Sequence, residues 1–221
     1  MAAVFGVLAA VQMIVVSTVD GLTQPGYDVS RNWVSQLSLG PGGWLGTANL
    51  ATCGLWVILG ALGLRRRAGR GAVGLLLLCG FCLILLAAVR TDAGLGFPEG
   101  VPEEHTARGL LHQLISVVLG VAGIGAVTGI GPRRVARAVA GVMAVTFTAA
   151  SVLVLLDDAG VLPGNPSGLL ERVALFAGFG WIALVSGRAT WDSCGRRRAR
   201  FPHPMRTPRA AWERARAERG P

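Results

Sequence analysis

Six apolar stretches of nearly 20 residues each, bounded by arginine on every second side, constrain this chain more than any other feature. A helix needs about 20 apolar residues to cross a hydrocarbon layer of roughly 30 Å. Stretches of that kind cover residues 2–19, 44–64, 71–89, 109–131, 138–156 and 168–189. Glu171 and Arg172 interrupt the last of them near its start, where they are expected to lie at the membrane interface. A chain with 52% hydrophobic and 15% charged residues and a mean hydropathy of +0.55 is too apolar for an ordinary soluble domain. In such a domain charged residues make up about a quarter. The expected fold is an all-helical integral membrane protein, six spans in one bundle over residues 1–191, with a basic, disordered tail at 192–221.

All 21 basic residues are arginines, clustered as RRRAGR after the second stretch, PRRVAR after the fourth and GRRRAR after the sixth. Basic loops mark the cytoplasmic face of a membrane protein. With both termini inside, 17 arginines are cytoplasmic and Arg31, Arg90, Arg108 and Arg172 are outside, among 9 of the 12 acids. The net charge of +9 is therefore expected to meet anionic lipid headgroups rather than nucleic acid. The absence of lysine reads as the coding bias of a GC-rich bacterium, and the plasma (inner) membrane as the location. The first stretch lacks the basic leading segment of a secretory signal and is taken as a span.

The short inner connections predict that the second and third helices, and the fourth and fifth, are antiparallel neighbours. The outer loops, 20–43, 90–108 and 157–167, are longer and carry the polar residues, so function is expected there. Gln12, Asn49 and Gln113 read as polar contacts between helices, and glycines such as Gly120, Gly123 and Gly125 as points of close approach. Cys79 and Cys82 have a C-x-x-C spacing but lie inside an apolar span without further ligands, so they read as small buried side chains.

The segment from Arg90 to Gln113 is the richest in chemistry. A fourth helix beginning near residue 102 or 103 would align His105, Arg108 or Gly109, His112 and Ser116 on one face. His105 and His112 would then stand about 10 Å apart, too far to share an ion, and no metal or other cofactor is expected. In the first loop, Ser30 is placed as the cap of a short helix bearing Trp33, Val34 and Leu37 that lies on the outer surface, with Ser35 and Ser38 facing the mouth of the bundle. Asp157 and Asp158 end the fifth span, where the helix dipole disfavours acids, so an ion-pair cluster with Arg172, Arg108 or Arg90 is expected.

The first-loop segment YDVSRNWVSQLSLGPGGWLGTANL, with VRTDAGLGFPEG and HTARGLLHQLIS, resembles the bacterial and archaeal membrane family called domain of unknown function 998. Ser35, Asp92, Gly109 and His112 match its short motifs, although Gln36 stands where an Asp is common and no Pro follows Asp92. The resemblance implies a six-helix membrane fold over most of residues 1–190 and no assigned activity.

The leading expectation is a non-enzymatic protein that binds a lipid, a small polar ligand or a partner protein at an outward-facing polar mouth. Ser35, Asp92, His105, Arg108, His112, Asp157 and Asp158 are its candidate contacts. The alternative is a membrane-embedded hydrolase or transferase acting on a lipid headgroup, with His112 as general base, Asp92 orienting it or binding a metal, and Ser35 or Ser38 as nucleophile or substrate contact. A small transporter is the third reading. Membrane lipids are the expected surroundings, and the oligomeric state stays open.

Overall fold

The computed structural model describes residues 3–200, with side chains as far as 192. It contains six helices long and apolar enough to cross a membrane. They are α1 (Val4–Thr23), α2 (Gly43–Leu64), α3 (Arg70–Ala88), α4 (Ala107–Thr128), α5 (Arg133–Asp158) and α6 (Ser167–Arg200). A 3₁₀ turn, Val34–Ser38, lies between α1 and α2. The hydropathic stretches and the helices coincide in their centres and differ at their ends. α5 begins at Arg133, directly after Pro132, because a helix keeps its backbone hydrogen bonds where its side chains have already left the apolar layer.

Residues to Thr190 make one compact unit. Its helices follow one another around the bundle: α1 packs on α2, α2 on α3, α3 on α4 and α4 on α5. α6 returns to α5 through Gly178 beside Met143, and to α1 through Ile182 and Ser186 beside Gly6. From Trp191 the chain belongs to a second unit. There α6 stays helical to Arg200, beyond the boundary expected at 191, and the rest of the expected tail lies outside the described residues.

Lipid is as apolar as leucine, so the helices are held by close approach and by hydrogen bonds rather than by a hydrophobic drive. α2 and α3 meet at Gly54 and Gly80, where a Cβ on either residue would overlap the other's carbonyl oxygen. Between α1 and α2, Gln12 donates to Asn49 Oδ1 at 3.1 Å and to Thr52, and accepts from the indole of Trp56 at 2.9 Å. Cys53, Cys79 and Cys82 are buried and free. Val11, Val15, Leu110, Val121 and Val145 face outward, as a lipid-facing surface requires.

Ala3, Ala61, Leu64, Ala126 and Ala189 form one apolar cluster. It brings the start of α1, the ends of α2 and α4 and the far part of α6 to a common end of the bundle, the end that carries the arginine-rich connections. The three long loops gather at the opposite end.

Candidate functional site

The first loop is not a surface helix. Val34 and Leu37 are buried in the central core with Met13, Leu50 and Leu83, so the 3₁₀ turn plugs the bundle. Gln36 closes the turn, accepting from the Trp33 N–H at 2.9 Å and donating to the Gly94 carbonyl at 2.6 Å. Ser30 does not cap it. Its N–H and hydroxyl both donate to Asp28 Oδ1, at 2.8 and 2.7 Å, and these bonds hold the Asp28 carboxyl below its ordinary range. Ser38 is buried and donates to the Ser35 carbonyl at 2.8 Å.

Two adjacent residues of α6 hold the plug down. Arg172, buried rather than interfacial, donates through Nη1 to the carbonyls of Val29 (2.8 Å), Asn32 (2.7 Å) and Gly168 (3.1 Å), and through Nη2 to the Tyr27 hydroxyl. Its guanidinium also lies over the Tyr27 ring, 5.4 Å from the centroid, a cation–π contact. Tyr27 passes the connection on by donating to the Trp33 carbonyl at 2.9 Å, and burial pushes its phenol above the ordinary value. Glu171 accepts the Val34 N–H at 2.8 Å. Its second oxygen makes no hydrogen bond, and among the described residues Glu171 forms no ion pair. The start of α6 is fastened to the same loop by the Leu169 N–H, which donates to the Ser30 carbonyl at 2.8 Å.

In the second loop Asp92 accepts from the Thr106 N–H at 2.6 Å and the Thr106 hydroxyl at 2.7 Å. Thr106 in turn caps α4 by accepting the Gly109 N–H at 3.0 Å. Gly109 is required here, since a Cβ would overlap the Asp92 carboxylate. Burial works against the Asp92 charge, but the Thr106 bonds, with Arg108 and His105 nearby, outweigh it and keep the carboxyl below its ordinary 3.8. α4 thus starts at Ala107, later than expected, because Asp92 and Thr106 together terminate the loop there. His105 stands before the helix, and the stripe on its face reduces to Gly109, His112 and Ser116.

His112 is buried, with Nδ1 2.5 Å from the Val89 carbonyl, and so ties the end of α3 to α4. Its Nε2 has no partner and borders neither of the two spaces described below. Asp157 is paired, but with Arg31 at 3.0 Å rather than with Arg90, Arg108 or Arg172. Asp157 also accepts the Gly164 N–H at 2.9 Å. Asp158 lies 3.7 Å from His105. Arg90 and Arg108 are exposed.

Two spaces meet at this end. An open pocket of about 600 Å³ brings together Ser35, Asp92, His105, Asp157 and Asp158, with Glu103 and Glu104. Arg108 and His112 are not part of it. Beneath lies a narrow cavity of about 110 Å³, apolar except for Ser35, Ser116 and Glu171. Trp33 and Ser35 wall both. Of the α4 glycines, Gly120 and Gly123 border this cavity rather than another helix backbone. Gly120 faces the Phe147 ring. The cavity and Glu171 escaped the sequence reading, in which Glu171 counted as interfacial; an acid one turn inside an apolar span was the signal for it.

Six spanning helices around a buried loop define a polytopic helical membrane protein. Residues 7–188 match the family described as "Protein of unknown function (DUF998)", and the chain belongs to that family. No curated protein and no solved structure matches the chain.

An Arg172→Leu variant, which strands several buried carbonyls at once, is expected to lose about 3 kcal/mol of stability. Thermal or denaturant unfolding in detergent checks this, and an unchanged midpoint would contradict the pinning role. For Asp92 the sign follows from its lowered value: the stabilisation is in place above the ordinary carboxylate value and fades as pH falls through it and below. Asp92→Asn should therefore unfold earlier than the parent at about pH 7, with the gap narrowing by about pH 3.

Proposed function

We propose that this protein binds an amphiphile from the membrane, taking its polar part into the outer pocket and its chain into the cavity below. The shared wall of Trp33 and Ser35 carries this reading, because it sets a polar space directly against an apolar one. Sites of this kind are mostly apolar with a few placed polar groups, and apolar cavities stay dry and accept apolar guests. The carboxylates of Asp92, Glu103, Glu104 and Asp158 at the rim favour a neutral or cationic head over an anionic one.

The hydrolase reading gains less support. Asp92 is engaged by Thr106, His112 is tied to Val89 and lies outside both spaces, and only Ser35 of the three borders the cavity. Asp92 and His112 serve as loop and helix fasteners in this reading.

In the same proposal the protein sits in a bacterial plasma membrane with both termini cytoplasmic and the pocket facing out, as the arginine distribution favours. A Glu104→Cys variant should then react with a membrane-impermeant maleimide on intact spheroplasts; reaction only after lysis would reverse the orientation.

Filling the cavity tests the binding itself. A Cβ on Gly123 meets Met143 at an ordinary 3.6 Å, so the backbone tolerates a side chain that extends into the space. Gly123→Leu should fold and lose the amphiphile that native mass spectrometry detects on the parent protein. Equal amounts of the same bound species on both would refute the proposal.

A further inference from the structure

We infer that Glu171 and Trp33 form a hydroxyl-recognising collar at the neck between the two spaces, so that the amphiphile carries a hydroxyl where its polar part joins its chain. The inference rests on the binding reading given above. Glu171 is a carboxyl group set against an apolar cavity, and a polar group so placed is costly unless it is paired. One of its oxygens is satisfied by the Val34 N–H, and the other has no bond. Arg172, the neighbouring cation, forms no ion pair with it and spends its Nη atoms on three backbone carbonyls and Tyr27. The acceptor facing the cavity is therefore left for a guest.

The donor side likewise lacks a partner among the described residues. Trp33 walls the same end of the cavity and is 9% exposed, and its buried indole N–H has no partner. A buried polar group without a partner is rare enough to call for a cause. A hydroxyl can donate to Glu171 and accept from Trp33 at once, whereas an ammonium can only donate and an ether oxygen can only accept. From Ser116 to Val127 the cavity follows α4 over 12 residues, roughly 16 Å from first to last at 1.5 Å per residue. Its small volume over that length admits one alkyl or isoprenoid chain lying along the bundle axis.

The test compares three probes of one chain length, 1-hexadecanol, its methyl ether and hexadecylamine, added to the full-length protein and read by native mass spectrometry. The alcohol should be retained about tenfold over the ether, as expected for one buried hydrogen bond. Glu171→Leu should abolish that preference. Glu171→Gln, which keeps an acceptor and the contact to Val34, should fold and retain part of it, so a failure of the leucine variant to fold leaves the comparison intact. Equal retention of alcohol and ether by the parent protein, or a preference that survives in Glu171→Leu, would overturn the collar while leaving chain binding standing. Preference for the amine would replace the hydroxyl by a cation and likewise overturn it. Retention of none of the three would remove the amphiphile reading itself.

Discussion

The loop-bearing half of this molecule depends on one buried guanidinium. Arg172 gathers the carbonyls of Val29, Asn32 and Gly168 and the hydroxyl of Tyr27, groups that would otherwise be stranded where water is scarce. An irregular backbone is tolerated at membrane depth only when its polar groups are paired within the protein. Arginine suits the task because its planar fork offers several donors from one rigid group. With the loop fixed, Val34 and Leu37 can enter the core, and Trp33 and Ser35 can divide the polar pocket from the apolar cavity.

The other polar residues at this end divide between fastening and facing the pocket. Asp92 holds Thr106 at the start of α4, His112 holds the end of α3, and Asp157 joins Arg31 to the turn before α6. Of these bonds, Arg31–Asp157 joins two loops, while the other two fix the ends of α3 and α4. Glu171 differs from these, since half of its hydrogen-bonding capacity is directed to no protein group.

The sequence made the number of spans, their order and the polar character of one end legible, because each follows from local composition. Within the site it named Ser35, Asp92, His105, Asp157 and Asp158 as candidate contacts, and these line one pocket. It misplaced His105, because only the Asp92–Thr106 contact fixes where α4 begins. It also read Arg172 as interfacial, since an arginine near a helix end normally extends its charge to the headgroups. Gly120 and Gly123 read as helix contacts because glycine signals missing volume without saying whether a backbone or a cavity occupies it.

By itself the sequence determined a six-span helical membrane protein with its arginines at one end and its acids at the other, for runs of apolar residues and their charged flanks act over one helix length. The tertiary structure alone decided which polar groups meet. Arg31 reaches Asp157 across 126 positions and Arg172 reaches Tyr27 across 145. Such pairs depend on how the helices rotate and how deeply the first loop sinks, and no local pattern encodes either. The same packing left Glu171 against an apolar cavity with one of its oxygens bonded to the Val34 N–H and the other to no described residue.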